Sequence, residues 1–174
     1  MRAPTNYAGP RRKEDKPAEV SQSTMSSLPG GAYTVQNVLE AKGNAIHSLA
    51  ADDSLQKAVD LLSEHRIGAL LVVDERGELE GILSERDIVR KLSEIPGQVL
   101  KQQVKSLMTT KVTSCSPEDP LLTVLKVMTQ GRFRHMPVMK NGHLVGVITI
   151  GDVVHQRLAE LEHQAVKMQS MIVG

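Results

Sequence analysis

Two pairs of residues with the same spacing could take part in ligand chemistry. Ser84 is followed three residues later by Asp87, and Thr149 is followed three residues later by Asp152. In each case an apolar run typical of a strand ends at the hydroxyl residue, and a helix-like pattern begins directly after it. The free N–H groups at a helix start suit a phosphate, and a carboxylate can accept from two neighbouring ribose hydroxyls. Both pairs therefore predict a site for a phosphorylated nucleoside.

The same spacing also has a purely structural interpretation. A Ser or Thr at the N-cap, with an acidic residue three positions on, resembles a capping box. A single copy would favour capping, but recurrence at two strand-to-helix junctions favours ligand binding. A glycine precedes each pair by three positions, at Gly81 and Gly146. These glycines would let a ligand or a neighbouring backbone come close.

Positive charge is placed to match a phosphate. Arg86 lies just beyond the first junction, and Arg134 with His135 opens an apolar strand in the second half of the chain. The planar fork of arginine can donate two parallel bonds to phosphate. Each arginine could instead be a solvated surface charge, and His135 a half-buried histidine with a backbone partner. The corresponding residues of the first half are Gly68 and Ala69, so we expect two chemically unequal clefts.

These residues lie within an internal repeat. Residues 46–49 match residues 112–115 at an offset of 66, and residues 81–84 match residues 146–149 at an offset of 65. Each copy predicts a strand, a helix, two strands and a helix. Neither copy has much more than about 60 residues, too few to bury a comfortable core alone. We therefore expect the copies to pack against each other about a pseudo-two-fold axis, with a cleft on either side.

The boundaries of the central elements can be predicted from local signals. The first helix of each copy is expected to begin at an N-cap aspartate, Asp53 or Asp119, with Pro120 at the first helical position of the second. Apolar strands are expected at residues 69–73 and 135–139. An Asn-Gly pair shortly after the second of these strands is a strong hairpin signal.

The two ends of the chain differ from the repeats. Residues 1–32 are rich in Pro, Gly, Ser, Lys and Arg without apolar periodicity, so we expect a disordered tail. Its basic cluster at residues 11–13 could touch nucleic acid, but a solvated tail is the simpler interpretation. The last helix is expected from about Gly151, with its first apolar turns packed on their own domain and a dimer contact beyond Leu161. Its heptad-like stripe consists of Val154, Leu158, Leu161, Ala165, Met168 and Ile172.

Composition argues against several classes of function. One Phe, two Tyr, no Trp and a net charge of +1 provide no stacking platform and no overall attraction to nucleic acid. A single cysteine, Cys115, excludes an internal disulfide and suits a reducing compartment. No apolar run approaches the roughly 20 residues of a membrane span, and the acidic residues near the start are untypical of an organelle transit peptide. We expect a cytoplasmic protein without membrane or nucleic-acid partners.

Signals for catalysis or metal binding are missing from the sequence. It has no Gly-x-Ser-x-Gly elbow, no Walker loop and no His-Glu-x-x-His motif. Cys115 lies in an apolar strand, where a small inert hydrophobe is expected. The histidines show no compact ligand spacing. We therefore expect no enzyme and no metal site.

Three segments resemble the signatures of tandem cystathionine β-synthase-type (CBS) domains, or Bateman modules. They are residues 67–73, 81–87 and 134–138, and the similarity extends over about residues 34 to 160. The resemblance is to small stand-alone CBS-pair proteins of bacteria and plant organelles. It implies a mixed α/β (α+β) fold of two β-α-β-β-α repeats with pseudo-two-fold symmetry, and a homodimer. The expected limits are 33–97 for CBS domain 1, 98–160 for CBS domain 2 and 161–174 for the helix extension.

The resemblance also implies an adenosine-containing ligand. AMP is expected first, with ATP, ADP, NAD or NADH and S-adenosylmethionine as alternatives. By position, Asp152 and Asp87 would hold ribose, while Thr149 and Ser84 would meet ribose or phosphate. Because repeat one lacks the Arg-His pair, its site could bind weakly, take another ligand or stay empty. The expected phosphate contacts are Arg134, His135 and Arg86, and the expected borders of the adenine are Ile46, Ser48, Ala69, Val112, Ser114 and Met136.

Two functions of different kinds follow from the resemblance. The first is a regulatory adenine-nucleotide sensor that acts on a separate protein. The second is a ligand-free CBS-fold dimer that serves as a scaffold. Both aspartates, both hydroxyls and the arginines of the expected sites are present in the chain, which favours the sensor. Binding of nucleic acid through the tail is a third hypothesis and would require a strongly salt-dependent affinity.

Overall fold

The computed structural model describes residues 33–94 and 97–173. The expected disordered tail, residues 1–32, lies outside the described residues. The elements follow one another as two similar halves, and two short 3₁₀ turns, Val99–Lys101 and Val104–Ser106, lie between the halves. The helices and strands are α1 Val35–Lys42, β1 Ser48–Leu49, α2 Leu55–His65, β2 Ala69–Val73, β3 Leu79–Ser84, α3 Glu85–Glu94, α4 Leu121–Gly131, β4 His135–Lys140, β5 His143–Thr149 and α5 Ile150–Val173.

The strands of the two halves pair in the same way. In the first half β1 runs parallel to β2, with Leu49 beside Val72, and β2 runs antiparallel to β3. In the second half β4 and β5 are antiparallel, and the first strand is reduced to a single bridge between Cys115 and Val138. The predicted hairpin turn is confirmed, since both Asn141 and Gly142 have positive φ angles. The mixed α/β repeat is therefore present twice.

The predicted N-caps of α2 and α4 are wrong by one residue. The caps are Ser54 and Pro120, each of which follows the aspartate that we expected. Asp53 and Asp119 instead accept a hydrogen bond from the amide three residues earlier, at 2.9 Å in both cases. The aspartates thus close the turn that leads into each helix. In the first repeat Asp53 and Ser54 are both good capping residues, and Ser54 is the N-cap.

Each half has its own apolar core, and each core includes a segment that precedes the other repeat. Val35, Val38 and Leu39 of α1 precede the first repeat, yet they are buried in the core of the second. Val99 and Val104 lie in the two 3₁₀ turns before the strands of the second half, yet they are buried in the core of the first. This exchange was not predicted from the sequence. It links the halves through buried apolar surface as well as through the chain.

Backbone hydrogen bonds hold the exchanged segments in equivalent places. Thr34, just before α1, bridges Pro120, just before α4. Gln103, in the segment between the repeats, bridges Ser54, just before α2. Each exchanged segment therefore binds the start of the first repeat helix in the opposite half. The arrangement repeats the pseudo-two-fold relation that the offsets of 66 and 65 predict.

The two glycines of the repeated motif allow close approach of other parts of the chain. A Cβ atom on Gly81 would lie 2.9 Å from the backbone carbonyl oxygen of Thr109. A Cβ atom on Gly146 would lie 2.9 Å from Cδ2 of Leu39. Of the two reasons considered for these glycines, close approach of neighbouring protein is the one that the structure shows. Gly146 is thus the place where α1 meets β5.

The first turns of α5 do not pack as expected. Val153 is the buried residue, whereas Val154 is 44% exposed, Leu158 is 55% exposed and Leu161 is 47% exposed. The helix begins directly after Thr149, and this start turns Val153 inward and the predicted stripe outward. Farther along, Ala165 and Met168 are also exposed, while the side chain of Ile172 lies outside the described residues. Within the described part of the chain, no helix has the length and apolar character of a bilayer span.

Candidate functional site

Both strand-to-helix junctions form reciprocal caps. The Ser84 amide donates to Oδ2 of Asp87 at 3.2 Å, and the Asp87 amide donates to the Ser84 hydroxyl at 3.4 Å. The second junction has the same two bonds. The Thr149 amide donates to Oδ2 of Asp152 at 2.8 Å, and the Asp152 amide donates to the Thr149 hydroxyl at 3.1 Å. The structural interpretation of the motif is therefore realised in both repeats.

Capping leaves part of each carboxylate for a ligand. Within the described residues, all hydrogen bonds to Asp87 and Asp152 end on Oδ2. Oδ1 of each carboxylate can still accept from a hydroxyl group. The Ser84 hydroxyl donates to Asp87 at 2.5 Å and could be turned toward a ligand by a rotation about one bond. Capping and ligand binding are therefore compatible at the same residues.

The first cleft is a cavity of about 230 Å³ beside the junction of β3 and α3. Ser84 and Asp87 line it from the first repeat, and Val112 lines it from the second. Phe133, the single phenylalanine of the sequence, adds an apolar ring to the wall. Its positively charged side chains are Arg86, Arg90, Lys111, Arg132 and Arg134. This concentration of arginine and lysine suits a phosphate group.

The second cleft is a cavity of about 460 Å³ beside the junction of β5 and α5. Thr149 lines it from the second repeat, and His47 and Ala69 line it from the first. Its positively charged side chains are Lys42, Arg66 and Arg134. Each cleft thus combines the hydroxyl junction of one repeat with strand starts of the other. Packing of the two repeats is what builds both cavities.

Four residues line both clefts, namely Gly68, Glu85, Arg134 and His135. The His135 ring lies against Gly68, where a Cβ atom would be 3.0 Å from the ring carbon Cε1. Gly68 therefore leaves room for the His135 ring. The sequence indicated that the Arg-His pair makes the clefts unequal, but the structure places this pair on the walls of both.

The surroundings of His135 favour its neutral form by lowering the pKa of its ring. Burial lowers the pKa of His135, and the positive charges of Arg134 and Lys42 act in the same direction. The carboxylates of Glu85 and Asp152 oppose this shift but do not cancel it, so the pKa lies below its ordinary value. A phosphate bound beside the ring would favour the charged form instead. The half-buried histidine and the phosphate contact that we considered are thus not exclusive.

The two motif carboxylates differ in their electrostatic surroundings. Lys42, the last residue of α1, lies 2.7 Å from Asp152, with side-chain exposures of 29% and 24%. Burial raises the pKa of Asp152, but the bonds from Lys42 and from the Thr149 amide outweigh burial and hold it below its ordinary value. Asp87 has no ion-pair partner among the described residues. Lys42 lies outside the repeat, so no sequence pattern pointed to it.

Some expected contacts do not line the cavities. Met136 is buried in the second core, while Ile46, Ser48 and Ser114 are absent from the walls of both clefts within the described residues. Asp152 also does not line the second cavity, but it bonds to two residues that do, Thr149 and Lys42. Of the expected site residues, those that line a cavity are Ser84, Arg86, Asp87, Val112, Arg134 and His135 in the first cleft, and Ala69, Arg134, His135 and Thr149 in the second.

Several cleft residues were not predicted as site residues. Arg66 and Arg132 occupy equivalent places at the ends of α2 and α4, both in the left-handed region, with φ angles of 53° and 57°. Arg66 lines the second cleft and Arg132 the first. Arg66 and Arg132 are 66 residues apart, which is the offset of the repeat, and that pairing was the signal available in the sequence. His47 lies between Ile46 and Ser48, which were expected to border the adenine, whereas no comparable signal exists for Lys111.

Cysteine and metal chemistry find little support in the described residues. Cys115 is buried in the second core, and burial, together with the charge of Asp119, raises the pKa of its thiol to about 12. A thiol in this state is a poor nucleophile at neutral pH because the thiolate is the reactive form. No group of three or more His, Cys, Asp and Glu side chains comes together there in an arrangement that could hold a metal ion.

The sequence pattern of the CBS domain matches this chain twice, at residues 44–94 and 104–158. The mitochondrial CBS domain-containing protein CBSX3 of Arabidopsis thaliana is 31% identical over 173 residues. That alignment covers 94% of this chain and 81% of the plant protein. The similarity therefore extends over most of both chains.

Solved structures share the same architecture. The CBS-domain containing protein ATU1752 from Agrobacterium tumefaciens is 38% identical, with a TM-score of 0.70 over 72% of this chain and 99% of that protein. The structure of CBSX2 in complex with AMP is 25% identical, with a TM-score of 0.60 over 73% of this chain and 97% of that one. The paired repeats and their packing are thus found in proteins of known structure.

Proposed function

Because this chain belongs to the family of proteins with paired CBS domains, we propose that it is a regulatory module that binds an adenine nucleotide and acts on a separate protein. The observation that carries this proposal is the first cleft. There a hydroxyl and a carboxylate at a helix start face five arginine and lysine side chains. AMP is the ligand that we propose first, since a relative of the same fold is known in complex with AMP. ADP, ATP, NAD or NADH and S-adenosylmethionine are the alternatives.

The roles of the residues follow from their chemistry. Asp87 and Asp152 accept from the ribose hydroxyls, and Ser84 and Thr149 bond to ribose or phosphate. Arg134 donates to phosphate from the wall that the two clefts share. His135 and Arg86 are further phosphate contacts, His135 for both clefts and Arg86 for the first.

The proposed output is a change in the arrangement of the two repeats. A ligand that bonds to both repeats across a cleft stabilises the arrangement in which both sets of contacts are made. The ligand shifts the equilibrium between arrangements of the two repeats only if it binds that arrangement more tightly than the others. We propose that the module is not an enzyme and that it works in the cytoplasm, with neither nucleic acid nor membrane as its partner.

Thermal unfolding with and without nucleotide tests this function. AMP at 100 times its dissociation constant is expected to add about 2.7 kcal/mol of stability, which raises the midpoint by several degrees. ADP, ATP, NADH and S-adenosylmethionine are measured in parallel to identify the preferred ligand. The double variant Asp87→Asn, Asp152→Asn keeps acceptors for the cap bonds but removes both charges, and it is expected to lose most of the rise.

Two outcomes would contradict the proposal. No shift with any of these ligands at millimolar concentration would leave a CBS-fold protein without a nucleotide function. An equal shift in the double variant would show that the nucleotide binds elsewhere. Circular dichroism of the variant before heating establishes that it is folded.

The exposed stripe on α5 supports a second proposal, that the chain forms a homodimer. Leu158 and Leu161 are about half exposed on a long helix, and such apolar stripes at heptad spacing commonly pair with a second helix. A dimer built in this way could also serve as a scaffold without any nucleotide. The dimer is thus compatible with both functions considered from the sequence.

Sedimentation of two variants tests the dimer. Leu158→Glu puts a charge in the middle of the stripe and is expected to shift the protein to monomer at micromolar concentration. Val166→Glu is the matched control, because Val166 is also an exposed apolar residue of α5 but lies outside the stripe. A wild-type protein that sediments as a monomer would contradict the dimer. A Leu158→Glu variant that remains dimeric would exclude this face of the helix.

A further inference from the structure

We propose that Lys42 determines which cleft fills first, by competing with the ligand for Asp152, so that the first cleft is the primary nucleotide site. This inference rests on the proposed function, since it concerns the same two clefts and the same class of ligand. It differs from the expectation that the absent Arg-His pair would weaken the site of repeat one.

The first argument is the position of the two motif carboxylates. Asp87 lines the first cavity directly. Asp152 does not line the second cavity, and Lys42, which does, bonds to it at 2.7 Å. A ribose that is to reach Asp152 must therefore displace the ammonium group or share the carboxylate with it. In the first cleft a rotation of the Ser84 hydroxyl is sufficient.

The second argument is the anchoring of Lys42. It is the last residue of α1, whose Leu39 fills the space above Gly146 and is itself buried in the second core. Lys42 is therefore presented to Asp152 by a helix that is fixed against β5, close to the residue it bonds. An ion pair held by a packed helix is present more of the time than one between two mobile side chains. The position of α1 therefore keeps Lys42 close enough to Asp152 to compete with a ligand for its carboxylate.

The third argument is the distribution of charge. The first cleft has five arginine and lysine side chains against the two acidic residues Glu85 and Asp87. The second cleft has three arginine and lysine side chains and one acidic residue, Glu85. One of the three positive side chains, Lys42, is already paired with Asp152. The first cleft therefore attracts a phosphorylated ligand more strongly. The carboxylate of Asp87, which has no ion-pair partner among the described residues, and the excess of positive charge favour the same cleft.

Calorimetric titration with AMP of the full chain and three single variants tests the order of filling. Asp87→Asn is expected to remove the tighter binding event and Asp152→Asn to leave it in place. Lys42→Met keeps the length of the side chain and removes its charge. It is expected to tighten the weaker event by about fivefold, the scale set by one partly exposed ion pair. The double variant Asp87→Asn, Lys42→Met isolates that event and should show the same gain over Asp87→Asn.

The outcomes separate this inference from the proposed function. If AMP binds, but Lys42→Met weakens or does not change the second event, Lys42 is a phosphate contact or a bystander and the inference is wrong. If the tighter event is lost in Asp152→Asn and kept in Asp87→Asn, the order is reversed and the inference is also wrong. If the wild-type protein and all variants fail to bind, the proposed function itself has failed.

Discussion

Replacing Arg134 with alanine is expected to lower nucleotide affinity at both clefts by about 10- to 100-fold, the value of a bond to a charged group. The reason is that Arg134 lines both cavities, so one substitution removes a phosphate donor from each. Its planar fork can donate two parallel bonds to phosphate oxygens, which a lysine cannot reproduce. Arg134→Lys is therefore expected to recover only part of the loss.

Calorimetry with AMP measures this effect, and Arg86→Ala is the matched control. Arg86 lines the first cleft alone, so its removal should weaken one binding event and leave the other unchanged. Arg134→Ala should weaken both. If Arg134→Ala also weakens only one binding event, Arg134 does not contribute to nucleotide binding in both clefts. If it weakens neither, Arg134 is a solvated surface charge, as considered for each arginine from the sequence.

Removing one large buried side chain from either core is expected to unfold both halves together. Leu83 in the first core and Ile148 in the second are both fully buried and hold equivalent places in the repeat. Truncation of either to alanine is expected to cost about 2–5 kcal/mol through lost transfer energy and the cavity left behind. Each core includes a segment that adjoins the other repeat. The loss of stability in one half should therefore also destabilise the other half.

Two probes distinguish joint from separate unfolding in urea. Circular dichroism follows the helices of both halves, and reaction of the Cys115 thiol follows the second core, in which it is buried. In Leu83→Ala, both signals should change at the same urea concentration. The same result is expected for the matched variant Ile148→Ala. A thiol that stays protected after half of the circular dichroism is lost would show that the second half is stable alone. Protein concentration is held constant, since a dimer would make the midpoints concentration-dependent.

The sequence was sufficient for features that depend on neighbouring residues. The third strand of each repeat ends at Ser84 and at Thr149, as predicted, because an apolar run is followed there by polar helix-forming residues. The hairpin at Asn141 and Gly142 was predicted because these two residue types adopt positive φ angles readily. The resemblance to tandem CBS domains is confirmed by the match over residues 44–94 and 104–158.

Features that depend on distant contacts could not be predicted. The pair of Lys42 and Asp152 joins residues 110 positions apart, and nothing in the pattern near either residue indicates the other. The same holds for Arg134 on two cavity walls, which results from the packing of the repeats. The outward turn of Val154 was missed for a different reason, since the heptad spacing defines a stripe but not which way the helix is rotated about its axis. In the structure that rotation places Val153 in the core and leaves Val154 exposed.

The exchange of segments between the two cores also has a consequence for synthesis of the protein. Helix α1 is made before β5 and Asp152, which it contacts, and Asp152 follows Lys42 by 110 residues. At ribosomal speeds of roughly 5–20 residues per second, this interval is about 5–20 seconds. During that time Val35, Val38 and Leu39 have no core to enter, and an eight-residue helix is marginal in water by itself. The nascent chain therefore exposes this apolar segment until the second half of the fold has been made.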